Sequence, residues 1–330
     1  MTDDNVRYSI IITAHNAAAT IISCLQSLDR QAGIDRLARE IILVDDRSTD
    51  GTAAAAEAAG TAGLQVLRIE EKGDESLTSR QMALEAGISS ARGKIILTLD
   101  ADGIASPNWM ASMVRPIERN MADAVAGPIT FRAGRGRLDG WQTVDAAFYL
   151  AFCRVLNLFH LRSGVFFGNF AFRRKLFVDI GGFRRIGFAL TEDWAFAGAL
   201  KTHGGKILYT NSGKVEVAAC SSWRALLERA RRISAGGLSA LSVILGIWMA
   251  SLPLVTVAAV LLSGVFPKLL AIRFFLGVAF VQTALLGTGC RRFHLQALLY
   301  EPMAVAIGVL VMLKLIGDRK VEWGGVIYDR

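Results

Sequence analysis

The sequence predicts an α/β fold, a mainly parallel sheet with helices on both faces, followed by a C-terminal α-helical membrane region. Three observations carry this reading. β-rich apolar runs alternate with stretches of helical periodicity from Tyr8 to Ile117. Carboxylates stand where these strand-like runs end. Charged residues are frequent up to about Arg232, whereas beyond Gly236 three long apolar stretches are separated only by short basic or polar breaks. At 330 residues, 52% of them hydrophobic, the chain is long enough for one large domain or two ordinary ones. We expect a soluble domain over 1–235 and a membrane region over 236–330, with two or three hydrophobic helices and a short tail.

Tyr8 to Thr13 is a β-rich run ending in Ala14-His15-Asn16, after which Ile21, Ile22, Leu25 and Leu28 recur at helical spacing. A helix therefore starts near Asn16 or Thr20. Glu40 to Val44 is a second strand, ending in Asp45-Asp46-Arg47-Ser48-Thr49-Asp50-Gly51-Thr52, and an alanine-rich helix runs from Thr52 to Ala59. Leu64 to Ile69 is a third strand and Ser79 to Ala91 a helix. Ile95 to Leu99 then reads as a buried strand of a parallel sheet, with Asp100-Ala101-Asp102-Gly103 at its end. Ser106-Pro107 predicts a cap with proline at the first helical position, opening a helix through Met110, Met113, Val114 and Ile117.

Open α/β sheets bind ligands at the carboxyl ends of their strands. Asp100 and Asp102, one residue apart, point to opposite sides on an extended segment, but a turn at Gly103 lets both converge on one hard cation. Phosphate oxygens of a diphosphate would fill its remaining positions. The sequence argues against glycine-cradled phosphate, because Thr13-Ala14-His15-Asn16-Ala17 contains no glycine and a Walker A loop is absent.

The polar N-terminus, Met1-Thr2-Asp3-Asp4-Asn5, has no apolar run of the kind a cleaved signal needs, so we expect the soluble part in the cytosol. Cys24, Cys153, Cys220 and Cys290 show no metal-ligand spacing and read as reduced thiols. The net charge of +8 is explained by a basic juxtamembrane surface facing anionic lipid, without nucleic acid.

Thr13-Ala14-His15-Asn16, Val44 to Thr52, Leu99 to Gly103 and Leu190-Thr191-Glu192-Asp193-Trp194, in that order, resemble the motifs of family 2 glycosyltransferases. The resemblance extends to Gly168-Asn169-Phe170-Ala171-Phe172-Arg173-Arg174 with Ile180-Gly181-Gly182-Phe183, similar to the segment flooring the acceptor side. It implies the GT-A fold, inversion at the anomeric carbon and a nucleotide-sugar donor, here a UDP-sugar bound with Mg²⁺ or Mn²⁺. By the same resemblance Thr13 and His15 contact the uracil and ribose side, Asp46 bonds the uracil or ribose, Asp100 and Asp102 hold the metal and diphosphate, and Asp193 is the base. Asp45 and Asp50 serve equally as turn and cap acids or as binding groups. Arg80 either reaches the diphosphate or is a solvated helix residue. Glu192, if buried with Asp193, raises its pKa by like-charge repulsion.

Trp223 to Ile233 is a basic helix leading into apolar sequence. Processive relatives carry a QxxRW motif here; this chain has Glu228-Arg229-Ala230-Arg231-Arg232, without the tryptophan, which favours one sugar per acceptor. Arg229 or Arg232 is placed to touch the leaving diphosphate, and the loop 132–137 is either solvated or faces a phospholipid-like acceptor. Gly237–Phe266 (about 45 Å as a helix), Leu269–Gly289 and Leu295–Ile316 are the membrane segments. In them Arg273 is read as snorkelling and Glu301 as facing headgroups or a lipid acceptor. Three spans put the tail across the membrane; two plus an interfacial segment return it. Lys320-Val321-Glu322-Trp323-Gly324-Gly325-Val326-Ile327-Tyr328 resembles the tail of membrane-bound members, with Gly324 and Val326 in place of basic residues. The expected activity is transfer of one sugar from a UDP-sugar to a lipid or lipid-linked acceptor at the cytosolic face of the inner membrane. A processive polysaccharide synthase and a non-catalytic nucleotide-sugar-binding scaffold are the competing readings.

Overall fold

A computed structural model describes residues 6–71, 76–132, 138–235, 251, 256, 265–289, 295–317, 320–323 and 326–329. The basic loop beyond Arg132, Cys290 and nearly all of the first apolar stretch lie outside the described residues. The central sheet has seven strands: β1 (Tyr8–Ala14), β2 (Arg39–Asp46), β3 (Leu64–Ile69), β4 (Ile95–Asp100), β6 (Ala124–Ala126), β8 (Asn169–Arg173) and β9 (Ile207–Tyr209). Their order is β3-β2-β1-β4-β8-β6-β9, and β8 runs antiparallel to both of its neighbours while the other pairings are parallel. A short second sheet joins β5 (Ile104–Ala105), β10 (Val215–Ala218) and β7 (Ile129–Arg132).

The apolar runs of β1, β2 and β4 are buried on both faces, as strands sandwiched between helices must be. One face packs Ile10, Ile12, Ile41 and Leu43 against α1 (Ala18–Asp29), α2 (Thr52–Ala58) and α4 (Trp109–Glu118). The other packs Ile11, Ile42 and Val44 against α3 (Ser79–Ser90), and farther along Phe170 and Phe172 against α6 (Arg174–Ile180), α7 (Gly182–Ile186) and α8 (Glu192–Thr202). Alternation along β2 thus sends Asp45 to the first face and Asp46 to the second. Register aligns the strand ends: Thr13 lies beside Val44 on one side and Asp100 on the other. Three candidate site residues or their neighbours are thereby brought to one edge of the sheet.

One predicted boundary moves. Helix α4 begins at Trp109 with Asn108 as its N-cap, two residues beyond the expected proline start. Ser106 and Pro107 form a turn instead: the Pro107 carbonyl accepts the Ala32 N–H at 2.7 Å, and the Ser106 N–H donates to Lys214 at 2.9 Å. These long-range bonds hold the turn outside the helix.

Helix α5 (Asp139–Leu158) leaves the sheet and carries an apolar cluster in which Trp141, Val144 and Phe148 meet α9 (Trp223–Ser234), α10 (Val265–Gly287) and α11 (Gln296–Gly317). Within α10 and α11, Pro267–Gly287 and Gln296–Lys314 are long and apolar enough to cross a membrane, by length and composition. Arg273 on α10 and Glu301 on α11 pair with each other at 2.8 Å, Glu301 buried and Arg273 largely so, as an ion placed among apolar helices is stable only when its charge is matched. The chain ends in an antiparallel hairpin, β11 (Lys320–Trp323) with β12 (Val326–Asp329), in which Val321 faces Tyr328. Cys24, Cys153 and Cys220 are free thiols.

Candidate active site

The loops that follow β1 and β2 are zipped together by short polar side chains. Asn16 donates its N–H to Ser48 Oγ and accepts the Thr49 N–H through Oδ1, both at 2.9 Å. Asp50 accepts from the Ala18 N–H at 3.0 Å and from Thr52, bonds that lower its pKa and make it the fastener of the α1 and α2 starts. Of the two roles open to Asp50, the structure therefore supports the cap. His15 donates Nδ1–H to the Asp46 carbonyl at 2.6 Å, a tautomer fixed by the fact that a carbonyl only accepts. The ring is thus held by its edge and is half-buried. Asp46 itself is gripped bidentately by Arg47, at 2.7 and 3.1 Å. Asp45, buried, has one carboxyl oxygen without a hydrogen-bond partner and lines a cavity of about 460 Å³ with Arg47, Thr49, Arg68 and Glu70.

At the end of β4 the expected turn forms, the Gly103 N–H donating to the Asp100 carbonyl at 2.9 Å. Gly103 is required by close approach, since a Cβ there would lie 2.9 Å from Leu99 Cδ1 and 3.0 Å from the Asp100 carbonyl. The turn swings Asp102 back toward Asp100. Burial first, and the Asp100 charge next, raise the Asp102 pKa, while the Ala218 N–H and Arg229 oppose the rise. Gly168, just before β8, packs flat on Asp100: a Cβ there would come within 2.4 Å of Oδ2.

Arg80, in the first turn of α3, is not a solvated helix residue. It bonds Asp100 through Nη2 and Glu192 through Nε, the latter at 2.7 Å. Burial disfavours its charge, but Asp100 and Glu192 outweigh that and keep the guanidinium protonated. Glu192 and Asp193 open α8, so the chain delivers one acid to Arg80 and leaves the next, half-buried, beside Trp194. Burial and then the Glu192 charge push the Asp193 carboxyl up to about 7, against the Trp194 N–H, which Asp193 accepts at 2.7 Å. From α9, Arg229 stacks over Phe131 at 4.7 Å and its charge reaches Asp102; Arg232 feels Arg80, Glu192 and Asp100. Burial, then the like charges of Arg229 and Arg80, draw Arg232 down to about 10, while Glu192 and Asp100 oppose the fall.

The model of the family described as "Glycosyl transferase family 2" matches residues 9–181, just over half of the chain, from β1 to the end of α6. The chain belongs to glycosyltransferase family 2. A PGL/p-HBAD biosynthesis glycosyltransferase of Mycobacterium bovis is 30% identical over 191 residues, 57% of this chain and 67% of that relative. A dodecaprenyl-phosphate galacturonate synthase of Rhizobium johnstonii is 39% identical over 89 residues, but the match covers only 27% of this chain and 25% of that protein's length. Among solved structures, the mannosyltransferase PcManGT from Pyrobaculum calidifontis, in complex with GDP-Man and Mn²⁺, superposes with a TM-score of 0.56 at 19% identity, covering 93% of this chain and 87% of that one. It shares the GT-A fold.

In this family 2 chain the donor set suits a hard cation in one specific sense. Among the described residues no three metal-ligating side chains converge, so the chain supplies at most the two acids of its Asp100-Ala101-Asp102 turn. A cation there completes its oxygen shell from elsewhere, as diphosphate oxygens and water would allow. Asp102, raised by Asp100, is the acid that such a charge would relieve. Sequence reading left Arg80 undecided and missed the roles of Arg47, Ser79 and Gly168. An arginine one step inside a helix start, opposite an acid-rich strand end, is the signal that was available for Arg80.

Proposed function

We propose that this chain is a membrane-associated inverting glycosyltransferase that moves one sugar from a UDP-sugar, with Mg²⁺ or Mn²⁺, to a lipid or lipid-linked acceptor at the cytosolic face of the membrane. The observation that carries the proposal is the pairing of two differently tuned acid sites around Arg80: Asp100 and Asp102 at the end of β4, and Asp193, with a pKa near 7, at the start of α8. A carboxylate poised near neutrality is suited to take a proton and not to remain a fixed counter-ion.

In this reading the uracil and ribose lie against Thr13, His15 and Asp46, and Asp100 and Asp102 would hold the cation. When bound, the cation neutralises charge on the departing diphosphate. Asp193 accepts the proton of the acceptor hydroxyl as its oxygen bonds to the anomeric carbon. The bond from that carbon to the diphosphate oxygen breaks with its electron pair, and UDP departs with the configuration inverted. Arg80 holds Asp100 and Glu192 together and offsets part of their charge at Asp193. Arg229 and Arg232 supply further positive charge toward the leaving group.

The lipid acceptor is supported by the apolar helices α10 and α11 packed on α5, whose other residues border the site, and by the name of the relative that acts as a dodecaprenyl-phosphate galacturonate synthase. The test uses the full chain in detergent or lipid with a panel of UDP- and GDP-sugars, Mn²⁺ or Mg²⁺, and a total lipid extract, following nucleotide release and labelled lipid together. Metal- and lipid-dependent release with one sugar per lipid is the expected result. A polymeric product would overturn the single-transfer reading, and nucleotide binding without transfer to any lipid fraction would favour the scaffold.

A further inference from the structure

The C-terminal hairpin lies against the donor side of the candidate active site. The Tyr328 hydroxyl accepts the Ser79 N–H at 2.9 Å and donates to Ser79 Oγ at 3.2 Å. Ser79 is the first residue of α3, where a backbone N–H has no partner within the helix. Its buried Oγ, with two lone pairs, also accepts Arg47 Nη2–H at 2.9 Å. Arg47 holds Asp46 with its fork, and it does so at φ +56°, a left-handed conformation that a non-glycine side chain adopts only where its surroundings hold it. The next residue, Arg80, carries the bonds to Asp100 and Glu192. Ser79-Arg80 is thus a pivot with one arm on the nucleoside side and one on the acid turn.

Tyr328 is fixed from behind. Its ring lies 5.7 Å from that of Phe188 and packs against a small cluster of Leu190, Ala235 and Val311. Gln81 holds the segment that carries Phe188, accepting the Ala189 N–H at 3.1 Å and donating to the Gly187 carbonyl at 2.8 Å. Arg231, on α9, bonds the Lys320 carbonyl at the hairpin's first strand.

We propose that the C-terminal hairpin is a wall of the nucleoside diphosphate site, and that Tyr328 is a positioning residue that acts through Ser79 on Arg47, Asp46 and Arg80. The inference rests on the donor site described under the proposed function. It assigns the tail a role in donor affinity, separate from the chemistry at Asp193.

The experiment measures Mn²⁺-dependent binding of UDP and GDP by calorimetry, and steady-state kinetics against the donor, for the full chain and for Tyr328→Phe, Arg47→Ala and the double variant. Tyr328→Phe is expected to weaken nucleotide binding and raise the donor KM about five- to tenfold, the scale of a lost hydrogen bond, with kcat within about twofold in a protein still folded at the assay temperature. In the Arg47→Ala background the same change should add less than about twofold, because residues acting through one network are not additive. Should Tyr328→Phe melt early, Ser79→Ala, which removes the shared oxygen and keeps the helix start, must give the KM shift. Unchanged donor KM in a parent that binds nucleotide, or fully additive effects, would overturn the positioning role. A parent that binds neither nucleotide with metal overturns the donor-site reading itself, and with it this proposal.

Discussion

The sharpest perturbation of the acid turn is a single methyl group. Gly168→Ala places a Cβ 2.4 Å from Asp100 Oδ2 and 3.1 Å from its Cγ. Ordinary carbon contacts lie at about 3.5 Å, so the carboxylate has to retreat by about 1 Å. It has little freedom to do so, because its other oxygen is held by Arg80. Gly168 has no left-handed backbone to lose, so the cost to folding is that of overpacking, about 1–3 kcal/mol. The cost to function is expected to be larger. Ligand distances to a cation tolerate about 0.2 Å, and a misplacement of about 1 Å in a catalytic constellation lowers rates about a hundredfold. Turnover should be titrated with Mn²⁺, and Mn²⁺-dependent UDP binding measured beside it, at a temperature where the variant is folded. Asp102→Ala, which removes the second acid outright, sets the scale of full loss. A Gly168→Ala protein with turnover and metal requirement within twofold of the parent would refute the reasoning that Asp100 must stand where it does.

Asp193→Asn should keep metal-dependent donor binding and lose turnover by about 10²–10⁴-fold, the usual contribution of a general base. In the parent, kcat/KM should rise about tenfold per pH unit up to about 7 and then level, because the carboxylate is the working form and burial with Glu192 holds its pKa there; a flat profile would remove Asp193 as the base. The sign for stability is opposite. A carboxyl whose pKa is higher folded than unfolded weakens the fold as pH rises through the ordinary carboxylate range to about 7, so the Asn variant should melt at or above the parent at pH 8. Arg80→Gln leaves the buried Glu192 carboxylate without its cation, an expected loss of about 3–5 kcal/mol in denaturant unfolding at pH 8. The loss should shrink as pH falls and Glu192 protonates; a loss equal at pH 5 and pH 8 would count against the charge argument.

The sheet was legible because each strand is a short, uninterrupted apolar run closed by turn chemistry, a pattern that parallel burial imposes on sequence. Helix α3 was legible as a helix over Ser79 to Ala91, and the structure starts it at Ser79 with a reciprocal cap between Thr78 and Gln81. The start of α4 was not, because the Ser106-Pro107 signal is local and the bonds that override it come from Ala32 and Lys214. The same limit applies to the site. Acids at strand ends can be found along the chain, whereas Arg80 gains its meaning from Glu192, and Ser79 from Tyr328, residues 112 and 249 positions away. The pairing of Arg273 with Glu301 belongs to the same class, since each alone is merely an ion in an apolar helix.

The docking of the tail has a consequence for how the chain can be threaded. Helix α11 touches the α/β domain at both ends: Gln296 packs on Gly140, and Lys314 pairs with Glu228 at 2.8 Å, after which Tyr328 reaches Ser79. A helix whose two ends rest on one domain has only its flank to offer to a bilayer, and here the outward flank is Val309, Leu310, Met312 and Leu313, all exposed. Counted as a path, the chain leaves the domain after α9 and comes back to it. Any crossings it makes in between must therefore be even in number, whatever the hydropathy of the individual segments.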